Sequence, residues 1–291
     1  MFVRSLAALA LSIFSFQPAF AAGTNLHVGA AYVSKIGSGP HAVILMPGLG
    51  GGSWAYDGIA PELAKRYTVY RVTFAGFDGE PPVQGPYLDA FAASIIDLIA
   101  VEKLRNPILI GHSLGGHLAL RIAAAIPDAI GGVVAIDALP LFPAMRAGDT
   151  MSERQTYMGQ YRDGVIAAPQ AAYEAQSRIQ IATLVTDPKN VDLVAASWNK
   201  ADRGTIAGAI YEMSLADLHT VLSKIAAPLL LIGVADTEAN LERNRAYYAS
   251  EYAGTPHLEI AMIAPSKHYV MYDQAEKFAA AMLPFLAKVT R

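Results

Sequence analysis

The stretch LIGHSLGGHLAL, residues 109–120, sets a serine between two glycines where an apolar run ends and a helical pattern begins. The run PILI ahead of it reads as a buried strand, and Leu118, Ile122 and Ile126 after it recur at helical spacing. Ser113 therefore falls on a sharp strand-to-helix turn, with Gly111 and Gly115 leaving room for crowded backbone. A bare G-x-S-x-G is weak evidence, since chance supplies about 0.1 matches in a chain of this glycine and serine content. The strand before it and the helix after it give the motif its weight.

Working outward, further short apolar runs alternate with helical patterns. HAVILMP (41–47), YTVYRVTF (67–74), NPILIGH (106–112), GGVVAID (131–137), PLLLIGV (228–234) and HLEIAMIA (257–264) read as strands. Several are apolar at consecutive positions, as strands covered on both faces are. Phe91, Ile95, Leu98 and Ile99 mark a helix before NPILIG, and a last helix is expected over Gln274–Lys288. The alternation predicts an α/β fold with a mostly parallel central sheet flanked by helices. Between Ala138 and Lys224 the pattern turns helical, with Met145, Met151, Tyr157, Met158, Tyr161, Tyr173, Trp198, Tyr211 and Met213 among its apolar positions. This reads as an inserted helical cap dividing the core into residues 22–137 and 225–291.

The chain has 291 residues, 53% hydrophobic and 16% charged, with a formal net charge of −3 and no cysteine. Disulfides are excluded, and no basic surface is available for nucleic acid. MFVR, SLAALALSIFSF and AFA at Ala19–Ala21 have the order of a signal peptide cut near Ala21. The apolar run is shorter than the roughly 20 residues of a membrane span. The expectation is a periplasmic or secreted protein with no stable membrane insertion after cleavage.

GHSLGG, the strands around it and a late histidine together resemble the α/β-hydrolase family, over nearly the whole chain after residue 21. The resemblance implies a serine, acid and histidine in that chain order. A serine hydroxyl needs a base within hydrogen-bond reach. Of seven histidines, His268 in APSKHYVMYD lies just beyond the carboxyl end of the last strand, where a loop brings it over Ser113. His257 begins that strand, at the wrong end of the sheet; His112 is expected to point away from the turn; His27, His41, His117 and His219 lie elsewhere.

Two aspartates qualify to orient the imidazole. Asp236 in LLLIGVAD has a G-x-x-D spacing common in the family and is favoured. Asp137 in VVAIDALP, at the end of the strand before the insertion, is the alternative acid, in a place some cap-bearing relatives use. Backbone N–H groups of Leu114 and of Leu49 in MPGLGGGSW are the expected oxyanion donors, each worth roughly 3 to 4 kcal/mol in the transition state. Two departures stand out: Pro47-Gly48 replaces the family's frequent His-Gly, and Thr73 stands where many relatives carry Asp.

The glycines at 48 and 50 do not make a dinucleotide site, because position 53 is Ser and YRVTF supplies no ribose-binding acid. No phosphate loop or His-Glu-x-x-His is present, so no cofactor and no metal are expected. The resemblance implies hydrolysis of a carboxylic ester or related acyl bond of a small to medium apolar substrate. Epoxide hydrolysis and dehalogenation, which use an aspartate nucleophile, are disfavoured. A non-catalytic ligand- or partner-binding protein on the same fold is the alternative.

Overall fold

The computed structural model describes residues 23–143 and 150–291. The leader read in residues 1–21 and cap residue Met145 lie outside the described residues. Eight strands form one sheet: β1 (Thr24–Val28), β2 (Ala31–Ile36), β3 (His41–Met46), β4 (Tyr67–Phe74), β5 (Ile108–His112), β6 (Gly132–Ile136), β7 (Leu229–Val234) and β8 (Leu258–Ile263). Their order is β1-β2-β4-β3-β5-β6-β7-β8, with antiparallel pairing at β1/β2 and β2/β4 and parallel pairing elsewhere.

The central parallel strands are apolar at nearly every position because each face meets its own core. Ile44, Met46, Leu109, Val133, Ala135, Leu229 and Leu231 enter one cluster. Their neighbours Val43, Leu45, Ile108, Ile110, Val134, Ile136, Leu230 and Ile232 enter the other. Helix α1 (Ala60–Ala64) joins the second cluster; α2 (Tyr87–Val101) and α3 (Leu114–Ala125) cover the first. The predicted stripe of Phe91, Ile95, Leu98 and Ile99 is buried on α2.

Between β6 and β7 the described residues form four α-helices, α4 (Met151–Ala167), α5 (Gln170–Leu184), α6 (Pro188–Lys200) and α7 (Arg203–Leu215), and a 3-10 turn at His219–Lys224. Thr150 and Glu153 make a capping box on α4, and Asp187 and Asp202 cap α6 and α7, which fixes where each helix begins. The cap is bonded to the core at several points: Glu212 accepts from the Tyr87 and Leu88 N–H groups at the head of α2, Gly76 O accepts from Asp202 N–H, and Leu184 O accepts from Tyr269 N–H. Helices α8 (Leu241–Glu251), α9 (Val270–Asp273) and α10 (Ala275–Val289) complete the chain. Among the described residues no helix is long and apolar enough to cross a membrane.

The head of α3 lies hard against the end of β3. A Cβ at Gly115 would stand 2.2 Å from the Met46 carbonyl oxygen, and one at Gly111 would stand 2.1 Å from Gly115 O. Both neighbours are backbone and have nowhere to retreat. Gly115→Ala is expected to destabilise the protein by about 2 kcal/mol or more, read as a lowered Tm by calorimetry. An unchanged Tm would mean the turn is looser than its packing indicates.

Candidate active site

β5 ends at His112 and α3 starts at Leu114, so Ser113 alone makes the turn. It does so at φ 52°, a left-handed conformation that a side-chain-bearing residue adopts at a cost of about 1–3 kcal/mol. Two backbone bonds hold it there: Ser113 N–H donates to Ile136 O at 2.9 Å, and Ser113 O accepts from His117 N–H at 2.9 Å.

Sheet register then places one of the two candidate aspartates beside Ser113. His112 pairs with Ile136, and Ile136 with Ile232, so the residues after His112 and Ile136, namely Ser113 and Asp137, emerge side by side at the carboxyl edge. Asp137 also takes a left-handed φ of 42°, with its N–H donating to Ile232 O at 2.8 Å. His268 Nδ1 stands 2.5 Å from Asp137 Oδ2. The other carboxylate oxygen accepts from the Tyr248 hydroxyl, and Tyr252 OH, at the C-cap of α8, donates to Ala138 O at 2.9 Å. Burial and the Asp137 charge push the Tyr248 phenol far above its ordinary range, so it remains a donor.

The favoured acid, Asp236, is thereby corrected. β7 runs on to Val234, which carries Asp236 past the sheet edge into an exposed loop. There its carboxylate accepts from Asn240 Nδ2 at 2.7 Å, a bond that holds it below the usual carboxylate range. The structure brings together Ser113, His268 and the alternative acid Asp137; it does not bring Asp236 to His268.

His112 is also corrected. Its ring does not turn away from the site: it borders the same cavity as Ser113, and its Nε2–H donates to the His268 carbonyl at 3.0 Å. Gly48 makes the room, since a Cβ there would stand 2.8 Å from His112 Nδ1. Burial, with the His268 charge adding to it, lowers the His112 pKa well below its ordinary value, so the ring is a neutral strut under the loop that carries His268. The same loop is tied to the cap: Lys267 Nζ donates to the Ala182 and Val185 carbonyls at 2.9 Å each.

Leu49 borders the cavity, and Leu114 is buried at the head of α3, where its N–H has no partner one turn back within the helix. Thr73, at the position many relatives give to Asp, braces this region through Oγ1, which accepts from Ser53 N–H at 2.9 Å. Among the other histidines, His27 stacks on Tyr32 and His219 sits between Asp217 and Glu251. Among the described residues no cluster of three or more His, Asp or Glu is placed to hold a metal ion.

Ser113, Asp137 and His268 open into one cavity of about 340 Å³ between the sheet edge and the cap. Its remaining wall is mostly apolar, from Leu139, Phe142 and Pro143 after β6 and from Leu184, Trp198, Ile210 and Met213 of the cap. Of the cap's Met and aromatic residues singled out in the sequence, only Trp198 and Met213 reach it among the described residues. Met158 and Tyr173 are buried in the cap's own packing, while Met151 and Tyr161 are exposed.

His117, one turn into α3, also borders the cavity and is 1% exposed. Burial lowers its pKa to about 4. As pH falls below the usual 6.5, the unfolded chain takes up this proton before the folded one does. The stability that goes with burying the neutral ring is complete above pH 6.5 and is lost between pH 6.5 and about 4, to the extent of about 3 kcal/mol. Urea unfolding at pH 7 and pH 4.5 should therefore show a smaller acid loss for His117→Phe than for wild type, and equal losses would refute the buried neutral ring.

An uncharacterized protein of Mycobacterium tuberculosis is 31% identical over 103 residues, 35% of this chain but only 30% of the relative's length. Pimeloyl-acyl-carrier-protein methyl ester esterase of Aeromonas hydrophila is 34% identical over 115 residues, 38% of this chain and 43% of that protein. N-formylmaleamate deformylase of Pseudomonas putida is 25% identical over 278 residues, 92% of this chain and 97% of that protein. Among solved structures, a thermophilic esterase from Thermogutta terrifontis superposes with a TM-score of 0.76 at 18% identity, over 92% of this chain and 100% of that one. The enol-lactonase from Burkholderia xenovorans LB400 does so at 0.72 and 17%, over 91% and 100%. The model of the alpha/beta hydrolase family matches residues 43–281, and the chain belongs to that family.

Proposed function

We propose that the protein is a serine hydrolase that cleaves a carboxylic ester or related acyl bond through an acyl-enzyme on Ser113. The observation that supports this best is the meeting of three strand ends: Ser113 in its left-handed turn, Asp137 beside it, and His268 Nδ1 at 2.5 Å from the Asp137 carboxylate, all on one cavity. With Nδ1–H donated to Asp137, the Nε2 of His268 is the free lone pair that a general base requires.

In this reading Ser113 Oγ attacks the acyl carbon while His268 Nε2 takes its proton. Asp137 stabilises the imidazolium, and the Leu49 and Leu114 N–H groups receive the oxyanion. The imidazolium returns its proton to the departing alcohol or amine, leaving the acyl group on Ser113. A water then gives its proton to His268 and its oxygen to the acyl carbon; Ser113 leaves, is reprotonated, and the carboxylic acid is released. The apolar wall fits a small or medium acyl group. The relatives include a methyl ester esterase and a deformylase, which supports an acyl carbon as the centre attacked and leaves both an alcohol and an amine leaving group within the reading.

The test is a fluorophosphonate probe on the folded protein, read by intact mass with Ser113→Ala as control. One adduct that disappears in the variant is the expected result. No adduct on wild type would sink the reading and favour a binding protein on the same fold.

A further inference from the structure

We propose that Ser197 of the cap is a positioning residue for the chemical step: its hydroxyl, held by Trp54, fixes and polarises the loop that presents the Leu49 N–H to the oxyanion. The inference rests on the reading of Ser113 and of the Leu49 donor above, and gives the cap a part in it.

Ser197 is buried on α6. Trp54 Nε1 stands 3.0 Å from its Oγ, and an indole N–H can only donate, so the hydroxyl accepts there. Its own proton is left for the Gly50 carbonyl oxygen, 3.0 Å away in a buried contact. The cap lies directly on this part of the core. A Cβ on Gly50 would stand 2.9 Å from both Trp198 Cε3 and Ile206 Cδ1.

The bond to Gly50 falls where it can reach the chemistry. Gly51 N–H donates to Gly48 O at 3.0 Å, closing a turn whose inner residues are Leu49 and Gly50. Gly50 takes a φ of 69°, the left-handed value that a type II turn asks of its third residue. The peptide joining Gly50 to Gly51 is therefore held at both ends, its oxygen by Ser197 and its N–H by Gly48 O. The peptide joining Gly48 to Leu49 is trans, so its N–H points opposite to its carbonyl, and the bond on Gly48 O fixes the direction of the Leu49 N–H. That N–H donates to no other described residue, and Leu49 borders the cavity.

Every bond in the series runs in one sense: Trp54 N–H to Ser197 Oγ, Ser197 O–H to Gly50 O, Gly51 N–H to Gly48 O, and last the Leu49 N–H toward the oxyanion. Hydrogen bonds aligned head to tail polarise one another. A side chain of the cap thus both aims and strengthens a donor of the core.

Ser197→Ala should lower kcat for p-nitrophenyl butyrate about tenfold with KM within about twofold of wild type, a fraction of the roughly 10²–10³-fold that loss of a whole oxyanion donor costs. Ser197→Cys keeps the shape and replaces the hydroxyl by a weak donor, so it separates the hydrogen bond from packing and should lose about as much as alanine.

Two ketones give a readout that cap anchoring alone would not move. With pentyl trifluoromethyl ketone, Ser113 Oγ adds to the carbonyl carbon, its proton passes to His268 Nε2, and the carbonyl π pair becomes an oxyanion. Pentyl methyl ketone only occupies the cavity. Inhibition by the first should weaken about tenfold in both variants, while the second binds as in wild type. Wild-type kcat in Ser197→Cys overturns the proposal, and so does a loss of affinity for both ketones alike, as a loosened cap would give. Fluorophosphonate labelling separates the two levels. Wild type labelled at Ser113 with either of those outcomes defeats the part given to Ser197 alone, and Ser113 unlabelled defeats the reading beneath it.

Discussion

Ser113→Ala is expected to lower kcat for p-nitrophenyl butyrate by about 10⁴-fold or more, with the folded structure intact. The size follows from the kind of step lost. On the proposed mechanism no acyl-enzyme would form without Oγ, and water would have to attack directly in a cavity arranged around a side chain rather than around a water. What survives is binding and the oxyanion donors, which by themselves leave roughly 10³–10⁴-fold acceleration over the uncatalysed reaction. Stability should change little. The left-handed φ of 52° is set by the Ile136 and His117 backbone bonds, not by Oγ, and alanine bears the same backbone cost there as serine. Steady-state hydrolysis and the Tm, measured on the same preparation, check both halves. A loss of less than tenfold in a folded variant would remove Ser113 from the chemistry.

The features that sequence made legible are those that local chain chemistry determines. β3, β5, β6 and β7 could be read because strands covered on both faces are apolar at consecutive positions, and the two core clusters take alternate residues of those runs. β1 and β2 gave no such run. TNLHV is mostly exposed and AYVSKI half-buried, at the antiparallel edge of the sheet, so their composition is mixed. Ser113 was legible because its turn is covalently local: the glycines that permit it are two residues away on either side. His268 was legible from its place after the last strand.

Which aspartate lies against His268 was not, because that depends on long-range register. Asp137 is placed there by the alignment of Ile136 with His112 and Ile232 and held by Tyr248, 111 residues away on α8. The pair Tyr248 and Tyr252, one turn apart, is a sequence signal for a helix face aimed at a polar group, but nothing in their spacing says which group. The His112 ring was misplaced for a similar reason, as the room it fills exists only because Gly48 comes back over β5. In the cap, composition does not separate Trp198 and Met213, which face the cavity, from Met158 and Tyr173, which pack within the cap.

Asp137→Asn should lower kcat by about 10⁴-fold, while Asp236→Asn should stay within about twofold of wild type. Asparagine nearly matches aspartate in shape, so the first change tests charge and tautomer. The Tyr248 hydroxyl already donates to one side-chain oxygen, and an amide whose oxygen stays with Tyr248 turns its NH₂ toward His268. A donor facing Nδ1 forces the imidazole proton onto Nε2, removing the lone pair meant for Ser113, and the imidazolium formed during attack loses its counter-charge. If the amide instead flips, its NH₂ meets a phenol pinned by burial, and the Tyr248 hydroxyl must find another acceptor. Either arrangement is costly, which is why a carboxylate with two donors is more than a passive prop at this position. Asp236 has no comparable leverage: its carboxylate is held by Asn240 and by backbone N–H groups of its own exposed loop, where solvent replaces whatever is lost. Rates for both variants on one chromogenic ester decide the matter. A near-wild-type Asp137→Asn with a crippled Asp236→Asn would mean that the His268 loop leaves its Asp137 contact in the working enzyme and reaches across β7 for its acid.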